Sequence, residues 1–352
     1  MPLATSSNLY STLIIEAIKE EATGFKTFVF AEGHKIQYEA GQFLTLAYNI
    51  DGEEVRRSYS ITSSPVLGEP LTIGVKRIDN GVFSRMLVDR VQIGDAILTT
   101  GAGGFFRLPD DINSFNTIFF FAAGSGITPV FSLLKTVLHL NPQMNVYLIY
   151  SNHSVATTIF YQELIALRER YKTILTIAFL FSTTADLRNA HLNRDLLEKL
   201  LLKHKHNLQK SLFYTCGPEV YMRMVIYILQ EAGVPKMNIK KEDFIPVKSA
   251  ITRLLPPDTG AHLVTLQFKD ATYFLAVAFP DTILTAAKKE KIALPYSCET
   301  GKCGNCAARC LAGEVWLSSN EVLTEKELAQ GLTLTCVGHP VNGDVVLQFS
   351  PI

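Results

Sequence analysis

The sequence predicts a multidomain chain: an antiparallel β-barrel, then a doubly wound α/β domain, then a small β-grasp domain. Three observations predict it. The first hundred residues alternate short β-branched and aromatic runs with turn signals. Between residues 113 and 243, continuous apolar runs alternate with helix-like segments. Beyond a proline-containing break come two alternating runs, one short helical pattern and a cysteine-rich loop. At 352 residues the chain is too long for one ordinary core, so two or three domains are expected.

Charge and composition narrow the possible partners. Lys plus Arg balance Asp plus Glu at 33 each, so nothing points to nucleic acid or to an anionic membrane surface. The N-terminus, MPLATSSNLYSTLIIEAIKEE, lacks a basic start and a long apolar run, so no signal peptide is expected. Six cysteines, four of them grouped, indicate a metal site in a reducing compartment, hence a cytoplasmic protein. Residues Thr117 to Leu134 carry no charge and approach the length of a membrane span. Gly124, Ser125, Gly126 and Pro129 interrupt that run, so a buried strand, a glycine turn and a helix start are expected, with no membrane insertion.

Residues 1–112 read as the barrel. Runs such as Lys26–Phe30 and Phe43–Tyr48 alternate with turns at Glu32-Gly33, Asp51-Gly52, Gly68-Glu69-Pro70 and Asp79-Asn80-Gly81. Within it, Arg57-Ser58-Tyr59-Ser60 resembles the R-x-Y-S flavin signature of the ferredoxin–NADP reductase superfamily. The residue types suit the chemistry. An arginine clamps a phosphate, a tyrosine offers a flat apolar face with a polar tip, and a serine hydroxyl can hydrogen-bond a ring nitrogen. The resemblance implies these roles for Arg57, Tyr59 and Ser60, with Ser58 inside the motif and Ser60 at the reactive nitrogen. Thr72–Arg77 followed by Gly81–Ser84 resembles the same family's second flavin element. It implies a strand backbone at Val75 and Lys76 beside the ring, and a turn at Gly81, Val82 and Ser84 around a pyrophosphate. FAD is therefore expected over FMN.

Residues 113–243 read as the α/β domain. Thr117–Ala123 is apolar throughout, as a strand buried on both faces should be. It enters Gly124-Ser125-Gly126-Ile127-Thr128-Pro129 and a helix running to His139. Strands are expected at Asn145–Tyr150, Leu175–Phe181 and Leu212–Cys216, with helices at 159–171 and 219–232. A glycine turn between first strand and first helix is where backbone N–H groups meet a dinucleotide pyrophosphate. G-x-G-x-T-P in that place resembles the superfamily's nicotinamide dinucleotide motif and implies that Gly124, Ser125, Gly126, Thr128 and Pro129 bind NAD(P)H. Cys216-Gly217-Pro218 resembles its C-G-P motif, whose cysteine faces the nicotinamide. A small neutral residue there suits close stacking of two rings with water excluded. Tyr150–His153 and Phe181–Thr184, where related NADPH enzymes carry arginines, have none. Arg188 and Arg194 lie further on, so coenzyme preference stays open, leaning to NADH.

Residues 244–260 hold three prolines and read as a linker. Glu242 is expected as a solvated carboxylate and Phe244 as an ordinary packed side chain. Residues 261–352 begin with a hairpin, His262–Phe268 and Ala271–Val277, then a short helix over 282–291 and a closing strand at Gly338–Phe349. Between them, Cys298, Cys303 and Cys306 stand in C-x4-C-x2-C order, and Cys336 follows thirty residues later. That is plant-type 2Fe–2S spacing; four soft thiolates also suit zinc, which remains the alternative. Gly301 and Gly304 lie where a loop bends around a cluster, and Cys310 reads as a core thiol. Barrel, nicotinamide domain and C-terminal ferredoxin in this order resemble the reductase components of bacterial oxygenases. The resemblance implies an enzyme passing electrons from NAD(P)H through FAD to a 2Fe–2S cluster and on to an oxygenase or other protein acceptor. A diaphorase for soluble acceptors and a redox-sensing regulator are the alternatives.

Overall fold

The computed structural model describes residues 9–50, 53–186, 188, 190–203, 205–244 and 255–349. The first sheet holds β1 (Ser11–Ala22), β2 (Phe25–Phe30), β3 (Phe43–Ile50), β4 (Glu53–Ser60), β5 (Thr72–Lys76) and β6 (Ala96–Gly103). All its pairs are antiparallel, in the order β4-β3-β6-β1-β2-β5. A bridge between Ile61 and Ile73 draws its two edges together into a barrel. Alternation explains the core: Leu13 and Ile15 point inward from β1 to meet Phe28, Phe30, Leu44 and Ile73. The Gly81–Ser84 segment, read from sequence as a turn, opens helix α1 (Val82–Arg90). Phe83 and Leu87, four residues apart on one helical face, pack into the barrel core and hold that helix there.

The second sheet is parallel: β7 (Thr117–Ala123), β8 (Asn145–Asn152), β9 (Leu175–Phe181), β10 (Ser211–Cys216) and β11 (Ile239–Glu242), in the order β11-β10-β7-β8-β9. Its helices are α2 (Ile127–Leu140), α3 (Tyr161–Arg170), α4 (Arg194–Lys203) and α5 (Glu219–Glu231). Ile118, Phe120 and Ala122 face the core that holds α2 and α3 residues, whereas Phe119 and Phe121 face the core of α4 and α5. Coverage on both faces is why β7 needs an unbroken apolar run. The strand order reverses between β7 and β10, which makes the crevice at their carboxyl ends the switch point where such sheets bind ligands. The charge-free stretch from Thr117 divides into β7, a tight turn and α2. No helix of the described residues is long and apolar enough to cross a membrane.

The third sheet holds β12 (His262–Phe268), β13 (Ala271–Val277), β14 (Ala307–Leu317), β15 (Leu332–Leu334) and β16 (Gly338–Phe349), in the order β13-β12-β16-β14-β15. Only β12 and β16 run parallel among these pairs. Helix α6 (Ile283–Lys289) begins where Thr282 accepts a hydrogen bond from the Thr285 N–H, and a capping box of Thr324 and Glu327 starts α7 (Glu325–Ala329). This is a β-grasp arrangement. Most of the expected 244–260 linker, residues 245–254, lies outside the described residues. Phe244 corrects an expectation: it is 41% exposed, not packed.

Candidate redox site

At the switch point, the turn over Gly124–Gly126 leaves β7 and enters α2. Gly124 sits at φ 54°, in the left-handed region. A Cβ on Gly126 would lie 2.1 Å from the Cys216 carbonyl oxygen, so only glycine lets this turn close against the strand end. Gly217 returns the contact, since its Cβ would lie 2.9 Å from that of Ala123. The turn and the Cys216-Gly217-Pro218 corner, ninety residues apart in sequence, are thus one backbone junction. Thr128 is buried and donates from Oγ1 to the Ser125 carbonyl at 2.9 Å, and Pro129 is buried behind it. The Cys216 thiol is fully buried, and burial with the nearby Glu242 and Asp243 carboxyls pushes its pKa far up. That environment favours the neutral thiol.

The barrel motifs lie on neighbouring edges. Arg57 is exposed, and its guanidinium donates to the Arg56 carbonyl at 2.7 Å. Ser58 and Tyr59 are half-buried and Ser60 is buried. The Tyr59 ring lies 6.0 Å from that of Phe83, and burial raises its hydroxyl well above the ordinary range. On β5, Val75 is buried and Lys76 exposed. Gly81 is the N-cap of α1 and Val82 is exposed at its first turn. Ser84 turns inward: its hydroxyl accepts from Ile78 N–H and donates to the Gly81 carbonyl. The Ser84 hydroxyl is thus engaged within the turn, and the first N–H groups of α1 have no intrahelical acceptors. The two halves meet at Gly74, where a Cβ would lie 2.8 Å from Thr128 Cγ2. That contact brings the dinucleotide turn against the strand expected to lie beside the flavin ring.

Cys298, Cys303, Cys306 and Cys336 are brought together. Hydrogen bonds link Cys303 to Cys298, Cys298 to Cys336 and Cys336 to Cys306. Contacts with Cys303 and Cys336, and the Thr300 N–H at 3.5 Å, lower the pKa of the Cys298 thiol. The same contacts raise the Cys303 and Cys336 thiols; holding iron, all four sulfurs would bind as thiolates. No three of the described Cys, His, Asp and Glu side chains close around a single ion. The thiols instead form a chained group with soft donors only, which fits a two-iron cluster. Gly301 and Gly304 adopt φ of 77° and 74° inside the loop. Cys310 stands apart on β14, with its Sγ toward the Ala312 and Gly313 carbonyls.

Sequence reasoning missed how the cluster loop is tied to β11. Lys302, between Gly301 and Cys303, pairs with Asp243 at 3.3 Å and with Glu321 at 3.5 Å, while Glu321 also pairs with Lys241 at 2.9 Å. No local pattern signals pairs this distant along the chain. Glu242 is also corrected: it is half-buried rather than solvated. Burial, then Asp243 and Cys298, push it up to about 8. The folded chain thus keeps a proton that the unfolded chain releases above its ordinary 4.5. Its contribution to stability is present below that value and is lost as pH rises toward 8. Glu242→Gln removes this slope, so thermal melts of holoenzyme at pH 5 and pH 9 should differ less in the variant than in wild type.

At the adenosine end, Ser182 and His153 bond to each other at 2.9 Å, which joins the two strand ends that lack arginines. Arg194 is engaged elsewhere, on Glu198 and Glu231. Arg188 is exposed.

Comparison with known proteins places these features in a family. An oxidoreductase FAD-binding domain matches residues 13–108, an oxidoreductase NAD-binding domain residues 120–226, and a 2Fe-2S iron-sulfur cluster binding domain residues 269–341. The ferredoxin reductase component of 3-ketosteroid-9-alpha-monooxygenase from Mycolicibacterium smegmatis is 30% identical, over 96% of each chain. The chain belongs to the iron–sulfur flavoprotein reductases. This reductase is an NAD(P)H oxidoreductase that carries FAD and a 2Fe–2S cluster, so zinc is set aside. It is also 29% identical to a component of the 1,2-phenylacetyl-CoA epoxidase from Escherichia coli K12, over 97% of this chain and 98% of that one. Its fold matches phthalate dioxygenase reductase with a TM-score of 0.59 at 22% identity, covering 97% of this chain and 98% of that one.

Proposed function

We propose that this reductase supplies electrons to a separate oxygenase component in the cytoplasm, with NADH as the preferred donor. When bound, FAD would supply hydride acceptance from NAD(P)H and release of electrons one at a time, through a 2Fe–2S cluster whose plant-type forms work near about −400 mV. The supporting observation is one chain in which the thiol group, the R-x-Y-S strand and the dinucleotide turn share a continuous junction. Relatives named as reductase components of monooxygenases support the choice of acceptor. The domain limits we assign are 1–112, 113–243 and 261–352, with a linker over 244–260.

Residue roles follow from placement. Arg57 has an exposed guanidinium beside the barrel edge and holds a phosphate of FAD, with the N–H groups after Gly81 facing the pyrophosphate. Tyr59 would offer its face to the isoalloxazine ring, with Ser58, Ser60 and the Val75 and Lys76 backbone holding it in place. Gly124, Ser125 and Gly126 let the backbone approach the dinucleotide, while Thr128 and Pro129 fix the turn. Cys216, Gly217 and Pro218 form a small uncharged wall that excludes water from the stacked rings. Cys298, Cys303, Cys306 and Cys336 hold the cluster. Turnover with NADH should be faster when a diiron oxygenase accepts the electrons than with small quinones. Equal or faster turnover with quinones would favour a diaphorase and reject the oxygenase reading.

A further inference from the structure

The motifs assigned above leave Arg56 unused, yet it is among the most constrained charges in the chain. Its side chain is 4% exposed and lies between the barrel and the ferredoxin domain. Nε donates to Glu54 and Nη2 to the Tyr10 hydroxyl at 2.9 Å. Nη1 reaches across to the Leu294 carbonyl at 3.0 Å, and the guanidinium lies 3.9 Å from the Tyr296 ring centroid. Leu294 and Tyr296 lead directly into Cys298. A buried guanidinium is tolerated only when its donors are filled, so this fork permits one arrangement of the loop and penalises others.

A second set of contacts holds the same loop beside it. Ser297 Oγ, one residue before Cys298, lies 2.7 Å from Ser58 Oγ, one residue before Tyr59. Ser58 continues to Thr45 at 2.9 Å, and Asn305, one residue before Cys306, donates to Thr45 at 3.3 Å. Phe105 leaves the barrel and joins the ferredoxin core, where a Cβ on Gly304 would lie 2.5 Å from its ring. The approaches to two cluster ligands are thus seated on β4, the strand that carries the flavin motif, and on its neighbour β3.

We infer that Arg56, through its fork on Leu294 and its stacking on Tyr296, positions the cluster loop for electron transfer from the flavin. The inference rests on the assignments of the R-x-Y-S strand and the four cysteines. The step is transfer of one electron from reduced flavin to oxidised cluster, with no bond made or broken, so separation and intervening contact govern its rate. Arg56 acts through Leu294 and Tyr296 and bonds none of the four cysteines; it is a positioning residue. Lysine keeps the charge but cannot fill the fork, and Tyr296→Leu removes the stacking partner from the opposite side.

The test uses holoenzyme with Arg56→Lys and, separately, Tyr296→Leu. Anaerobic stopped-flow with NADH follows flavin bleaching and cluster bleaching at separate wavelengths. Hydrogen–deuterium exchange of residues 43–60 and 294–306 supplies a readout independent of turnover. The expected result is unchanged flavin reduction, cluster reduction slowed about tenfold or more by misplacement of the loop, and faster exchange in both segments. Wild-type transfer to the cluster with unaltered transfer and exchange in both variants would overturn the positioning role alone. A wild-type enzyme whose flavin bleaches while its cluster never does would overturn the electron path itself.

Discussion

Cys336→Ala should yield a protein that keeps its yellow flavin and loses the brown iron–sulfur envelope. Cys336 bonds both Cys298 and Cys306, so its removal breaks the thiol chain between its two pairs. It also enters from a distant strand connection, after β15, and is the only one of the four ligands outside the 298–306 loop. No neighbour can replace it, because Cys310 faces the Ala312 and Gly313 carbonyls. Loss of outer partners alone costs metal sites about 10–100-fold, so loss of a ligand should lower NADH-driven reduction of cytochrome c by at least about 100-fold. Ferricyanide, which accepts directly from flavins, should still be reduced at close to the wild-type rate. Cytochrome c reduction retained in the cluster-free variant would show that the cluster is not on the exit path.

Gly126→Ala is expected to act at the other end of the path. The added methyl would meet backbone atoms only: the Cys216 oxygen at 2.1 Å, its carbonyl carbon at 2.4 Å and the Gly217 nitrogen at 2.8 Å. Backbone cannot rotate away as a side-chain tip can, so the turn and the C-G-P corner must separate. Overpacking of this kind costs roughly 1–3 kcal/mol. The larger effect is on chemistry, since displacement by about 1 Å can slow a positioned reaction about 100-fold. Flavin bleaching by NADH should fall by that order while FAD and iron contents stay at wild-type levels. A variant that bleaches at the wild-type rate would mean that this junction does not set the nicotinamide's position.

What could be read from sequence divides by range. The cysteine loop and the glycine turn were legible because their geometry is dictated by neighbours within a dozen residues. Strand β7 was legible for the same reason, since burial on both faces leaves a mark in every residue. Helix α1 was not, because its start coincides with a Gly…Ser pattern that a turn also satisfies, and only packing of Phe83 and Leu87 decides between them. The grip of Arg56 on Leu294 spans 238 residues and leaves no periodic trace. Glu242 was misread because its environment is made first by burial, then by Asp243 and Cys298, and the approach of Cys298 depends on how the ferredoxin domain packs. Phe244 was misread as well, for hydrophobicity alone does not say which face a strand end presents.

The most direct test of an NADH-to-cluster path is metal and sulfide analysis of the purified protein, coupled to its absorption spectrum before and after anaerobic NADH. The account predicts iron and acid-labile sulfide in equal amounts, flavin bands above a broad brown envelope, and bleaching of both when NADH is added. Zinc without sulfide, or a cluster envelope that NADH leaves untouched while the flavin is reduced, would contradict it.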